Sequence, residues 1–252
     1  MDISFQQGAL LVVTGLIAGV INTLAGGGSN LTLPALMVMG MPADLANATN
    51  RVGVFLQNVV ALKGFKKYGK LPTGDLSAIV LPTLIGGAIG AIAAAHLPNT
   101  LLKPLLLLTM LALSVVILVR PGVISPPEGT IPYTVKQKPT AWCWLLLAGV
   151  YGGFVQAGVG FILITAVAGT LRYDLVRTNA IKVLCLVGFT GLALAMFIYR
   201  GQVLWLPGLV LASGTMVGAH FAVRFSITAK PQTLKWFLFV MTLCACAAAM
   251  WF

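Results

Sequence analysis

An all-α polytopic membrane protein, made of two inverted repeats, is the fold class this sequence predicts, and three observations carry the prediction. Hydrophobic residues make up 59% of the chain and charged residues 8%, with a mean hydropathy of +0.98, whereas a soluble domain carries about 25% charge. The apolar residues fall in runs long enough for helices that cross a ~30 Å hydrocarbon core, without the dyad alternation of a membrane β-barrel. The second half of the chain also echoes the first at a fixed spacing.

Taken in order, MDISFQQ lacks a basic stretch, so no cleavable signal peptide is expected. Residues 8–24 form a first apolar piece and 29–40 a second, divided by Gly26, Gly27 and Gly28. Glycine costs roughly 1 kcal/mol in a helix relative to alanine, and the second piece is too short to cross alone. The pair therefore reads as a glycine-broken hairpin meeting near mid-membrane. Residues 47–64 make the next helix, ending in Lys63, Lys66, Lys67 and Lys70. A turn at residues 71–75 starts the following helix, with Asp75 suited to its N-terminus. Helices follow at about 75–95 and 101–119. Residues 120–139 hold five prolines and read as an irregular linker. Beyond it lie apolar pieces near 140–155, 159–171, 177–199, 204–224 and 231–251, giving about eight membrane elements. The expected domains are 1–119, a first membrane repeat; 120–139, a cytoplasmic linker; and 140–252, a second membrane repeat.

The repeat has an offset of 132 residues. Ala25-Gly26-Gly27-Gly28 falls on Ala157-Gly158-Val159-Gly160, Asn47-Ala48 on Asn179-Ala180, Gly69 on Gly201, Gly86 on Gly218, and Leu102-Lys103 on Leu234-Lys235. Charge decides its sense. If each broken pair returns to its own side, the halves are inverted. One face then collects Lys63, Lys66, Lys67, Lys70, Arg120, Lys136, Lys138, Arg172, Arg177, Arg224 and Lys230, leaving chiefly Lys103 and Arg200 opposite. The positive-inside rule favours that arrangement, with both termini extracytoplasmic in a bacterial-type inner membrane. Inverted repeats with broken helices are a recurring transporter design.

The pattern Gly15-x-x-Ala18-Gly19, Ala25-Gly-Gly-Gly28, Leu33-Pro34-Ala35-Leu36, Ala48-Thr49-Asn50-Arg51 and Phe65-Lys66-Lys67-Tyr68-Gly69 resembles the sulfite exporter TauE/SafE family. The resemblance covers nearly the whole chain. It implies a duplicated transporter of small sulfur-containing or organic anions such as sulfite and sulfoacetate. The second copy departs from the motif at Val159 and at Ile181-Lys182.

A small oxyanion needs hydrogen-bond donors and positive charge. Backbone donors are expected near Gly26, Gly27, Gly28 and Ser29 and near Gly158 and Gly160, because a helix start exposes N–H groups that suit an anion. Arg51 offers a guanidinium fork and Lys182 a point charge; the alternative is that both snorkel to the interface. Asn22, Asn30, Asn47, Asn50, Gln57, Asn58, Gln156 and Asn179 are intramembrane amides, and the alternative for each is an interhelical hydrogen bond. Ser29 and Thr49 could instead bond their own helix backbone.

Other function classes fit less well. Asp44, Asp75, Asp174 and Glu128 map to loops or helix ends, so an Asp/Glu proton relay is poorly supported. An intramembrane enzyme would need a nucleophile with a base or paired acids at membrane depth, and neither appears. Four cysteines in apolar runs and two histidines indicate neither a metal site nor a disulfide framework. No cofactor is called for. The net charge of +11 suggests anionic partners, but the basic residues are too dispersed for nucleic acid. The expected partners are a small anion and the lipid bilayer, with a homodimer left open. A carboxylate transporter and an anion channel are the competing functions.

Overall fold

The computed structural model describes residues 3–119, 126, 130–229 and 233. In order come α1 (Phe5–Leu24), α2 (Ser29–Val38), α3 (Ala43–Lys67), α4 (Leu76–His96), α5 (Asn99–Val119), α6 (Thr140–Phe154), α7 (Val159–Ile164), a π-helical segment (Thr165–Thr170), α8 (Leu175–Tyr199) and α9 (Trp205–Thr228). No strand occurs among the described residues. Helices α1, α4, α8 and α9 are long and apolar enough to span a membrane. This is a multi-pass, all-helical membrane protein. The expected helix at 231–251, apart from residue 233, and residues 120–125 and 127–129 of the linker lie outside the described residues.

Two boundaries and one cap differ from expectation. Helix α3 begins at Ala43 rather than 47, directly after Pro42, with Asp44 in its first turn; proline before a helix and an acid at its positive end both favour that start. The piece after the second break is only six α-helical residues before it widens into the π-helical segment. Asp75 stands at the N-cap of α4, as expected, but its side chain makes no cap hydrogen bond. Its backbone is left-handed, with φ of 55°, and its carboxylate accepts the Val135 N–H at 2.6 Å, tying the linker to the start of α4.

Close glycine contacts reveal the direction of every major packing. Gly15 lies against Leu211 and Gly19 against Thr215, so α1 runs parallel to α9; Gly53 against Leu211 and Gly64 against Val223 make α3 parallel to α9 as well. In the second set Gly86 meets Leu146 and Gly90 meets Val150, making α4 parallel to α6; Gly87 against Phe189 and Gly188 against Leu84 make α4 parallel to α8. The two sets meet along α3 and α8 in opposite directions. Arg51 stacks on Phe197, Gly191 faces Phe55, and Ala61 and Phe65 share an apolar cluster with Ala180 and Val183.

The sets are related by the 132-residue offset. Helices α3 and α8 correspond residue for residue at their ends, and positive φ recurs at Gly26 and Gly158 and at Gly69 and Gly201. Each half lends its first helix to the other, α1 packing on α9 and α6 on α4. Since equivalent helices run antiparallel, the repeat is inverted. Among the described residues the basic side chains are sorted accordingly: Lys63 to Lys70, Lys136, Lys138, Arg172, Arg177 and Arg224 flank one end of the bundle, Lys103 and Arg200 the other.

Candidate functional site

Two helices stop inside the protein, and each stop is met by a cation from across the bundle. Helix α6 ends at Phe154, and its last carbonyls point at α3. Arg51 donates from Nη1 to Gly152 O at 3.1 Å and from Nη2 to Gly153 O at 2.6 Å and Phe154 O at 3.2 Å. Asn47 adds a bond from its Nδ2 to Phe154 O at 3.1 Å. Helix α1 ends at Leu24 and is met from α8: Lys182 Nζ donates to Asn22 O at 3.1 Å, Thr23 O at 2.8 Å and Asn179 Oδ1 at 2.9 Å. The final carbonyls of a helix lack intrahelical partners and carry its negative pole, so a cation there is favoured twice over.

Both cations are fully buried, at 0% exposure. Neither snorkels. Helix α3 begins a turn earlier than its polar residues suggest, so Arg51 stands more than two turns inside it. Its guanidinium lies over the Phe197 ring, 5.0 Å from the centroid, a favourable face for a desolvated cation. Lys182 is fifteen residues from Phe197 along α8, about 22 Å at 1.5 Å per residue. The two cations therefore serve different depths.

Three consecutive side chains of α3 hold three different elements. Thr49 Oγ1 accepts the Leu204 N–H at 3.0 Å, just before α9. Asn50 donates to Ser29 Oγ at 3.2 Å and accepts from Thr32 Oγ1 at 2.6 Å, holding α2. Arg51 holds α6. Ser29 and Thr49 thus bond between elements, not to their own helix backbone. Asn58 turns back on α3, donating to Val54 O at 2.7 Å, and Gln156 donates to Thr190 Oγ1 at 2.8 Å.

The two breaks touch. Gly26 has φ of 90°, and a Cβ there would collide with the backbone of Gly160; a Cβ on Gly160 would strike Gly26 in return. Gly28 packs under Ala18 O and Asn22, and starts α2 with no side chain capping its amides. Gly27 is buried beside it. Gly158, with φ of 75°, starts α7 likewise uncapped.

Several buried polar atoms around these breaks have no partner. The donors include Arg51 Nε, Asn30 Nδ2, Gln57 Nε2, Asn179 Nδ2 and the Thr23 hydroxyl; the acceptors include Asn30 Oδ1, Asn47 Oδ1, Asn58 Oδ1 and Gln156 Oε1. An unpaired buried polar group costs about 1–3 kcal/mol, so such a group points to something the site is shaped to receive. Gln57 has a special position. The antiparallel pairing of α3 and α8 places it opposite Phe189, its own equivalent under the 132-residue offset, at the level where the two repeats exchange.

Sequence reading found the amides, the cations and both breaks. It missed Phe197, Tyr151 and Thr190. Tyr151 donates from its hydroxyl to Ala157 O at 2.8 Å across the second break. Tyr151 stands one helical turn before a glycine-rich helix end, a usable signal; Phe197 and Thr190 look like ordinary helix residues and carried none.

The model of the family described as sulfite exporter TauE/SafE matches residues 11–249. A probable membrane transporter protein of Haemophilus influenzae is 29% identical over 241 residues, covering 93% of this chain and 90% of its own. The probable membrane transporter protein ORF9 of a Sinorhizobium species is 24% identical, with 96% and 92% covered. The probable membrane transporter protein YfcA of Escherichia coli K12 is 26% identical, with 89% and 82% covered.

Proposed function

The chain belongs to the sulfite exporter TauE/SafE family of membrane transporters, and from that premise we propose that it exports a small sulfur-containing anion, sulfite or an organosulfonate such as sulfoacetate. Transport proceeds by alternating access about the junction of the two glycine breaks. Members of this family are transporters rather than enzymes. Residues 1–119 and 140–252 act as the two repeats, joined by the 120–139 linker. The basic end of the bundle faces the cytoplasm of a bacterial-type cell, and both termini lie outside the inner membrane.

One observation carries the reading: buried, unpaired donors surround two helix breaks that close on each other at the centre of an inverted repeat. In the closed state Arg51 and Lys182 neutralise the negative ends of α6 and α1. An anion arriving beside one break competes with those carbonyls for its cation, so binding loosens one helix end at a time. Gln57, Asn30 and Asn179 supply neutral donors, which orient an oxyanion without holding it too tightly to leave. An inside-negative potential drives the anion outward by about 2.3 kcal/mol per charge per 100 mV.

The test is thermal stabilisation of the purified protein by sulfite, sulfoacetate, other sulfonates, thiosulfate and small carboxylates. A ligand at 100 times its Kd should add about 2.7 kcal/mol. A saturable shift with sulfite or sulfonates supports the proposal. A shift with carboxylates alone reassigns the substrate, and no shift with any anion removes the anion site.

A further inference from the structure

At the basic end of the bundle, the C-terminal turns of α3 and α9 line a cavity of about 250 Å³. Lys63 and Lys67 of α3, Tyr68 just after it, and His220 and Arg224 of α9 line it, with no acidic residue in the lining. Among the described residues Lys63, Lys67 and Arg224 enter no ion pair, the recorded one being Arg177 with Asp174. Nor do their side chains serve the helix ends they stand on: the recorded side-chain bonds to backbone carbonyls from cations are those of Arg51 and Lys182. Three cations thus converge on one opening with their donors unspent.

Apolar side chains back the cavity. Val60 and Val223 line its wall, and beneath it Ala61, Phe65, Ala180, Val183, Ala219 and Val223 form a buried apolar plug. What continues from it instead is an outward stripe. On α9, Val217 and Phe221 are 45% and 59% exposed and fall on the face of His220 and Arg224, one turn toward the middle of the helix. A ligand suited to this place has a compact anionic head and an apolar body, since ordinary small-ligand pockets begin at roughly 300 Å³ and this one takes little more than a head.

We propose that this cavity is a binding site for the phosphate-bearing headgroup of an anionic phospholipid, held by Lys63, Lys67 and Arg224, with its acyl chains lying along Val217 and Phe221 of α9. Basic pockets between membrane helices recruit such headgroups by the same electrostatics. The lipid bridges α3, which carries Arg51, to α9, which is held to α3 by Thr49 through Leu204.

The experiment titrates the full-length protein in detergent with phosphatidylglycerol, phosphatidylcholine or inorganic phosphate and reads the thermal midpoint. Phosphatidylglycerol should raise it saturably, while phosphatidylcholine and phosphate should not. The Lys63→Ala/Lys67→Ala protein should need roughly thirtyfold more phosphatidylglycerol for half-saturation, from two lost lysine charges. Lys66→Ala/Lys70→Ala removes equal charge from the same helix end but outside the cavity, and should leave the titration unchanged. Equal weakening by both pairs, equal effects of the two lipids, or no effect of phosphatidylglycerol would each overturn the site. A phosphate effect as large as that of phosphatidylglycerol would overturn the lipid and leave a free phosphate in its place. All four lysines except the half-buried Lys70 are exposed, so neither pair threatens folding.

Discussion

Arg51 makes three carbonyl contacts and leaves only Nε over, so its removal tests a helix cap as much as a substrate contact. Hydrogen bonds to a charged group contribute about 1.5–3 kcal/mol each. Arg51→Ala is therefore expected to lose transport and several kcal/mol of stability together, seen as a lowered Tm. Arg51→Lys should keep most of the stability but bridge fewer of the three carbonyls, because an ammonium is a point donor rather than a fork. Gln57 separates the two roles. Its Nε2 is buried and unpaired, so Gln57→Leu should leave Tm within about 1 kcal/mol of stability while abolishing the anion-dependent shift. A Gln57→Leu protein that still responds fully to the anion would take Gln57 out of the site.

The broken helices depend on a contact between two backbones. Gly160 has an ordinary φ, so an alanine there is strained only by what its Cβ meets, which is Gly26. Overpacking of this kind costs about 1–3 kcal/mol. Gly160→Ala should lower Tm by several degrees and hold the breaks apart, measured as faster amide exchange around residues 24–30. Gly8→Ala is the control: it lies in α1 with its nearest neighbour 3.9 Å from a built Cβ, and should stabilise by up to about 1 kcal/mol through helix propensity alone. Much of this element scale was legible in advance. The triple glycine, the short pieces and the 132-residue echo marked both breaks. The start of α3 was not, because Ala43-Asp44-Leu45-Ala46 reads as a loop until Pro42 is recognised as the residue before a helix.

For the whole molecule, the charge sorting makes a topological prediction. With the native cysteines replaced, Lys66→Cys and Tyr199→Cys introduce thiols at opposite ends of the bundle. In intact cells a membrane-impermeant maleimide should label position 199 and spare position 66; inverted vesicles should reverse the pattern. Labelling of both from one side would contradict the assignment of the basic end to the cytoplasm. The inversion itself follows from helix directions: α1, α3 and α9 run one way, α4, α6 and α8 the other.

Composition and spacing are properties of the chain alone, so the membrane class, the duplication and the set of polar residues were legible before any packing was known. The sequence also pointed to inversion, since loop charge must be sorted whichever way the helices pack. The partners of those polar residues depend on packing. Thr49, Asn50 and Arg51 are neighbours in sequence, yet they hold α9, α2 and α6 respectively. Arg51 and Lys182 are the two cations of the polar set, and each seals a helix end in the opposite half. The physical reason is that a carbonyl left over at a helix break is invisible in the sequence. It appears as a partner only once the chain has folded and the break lies against the cation that can satisfy it.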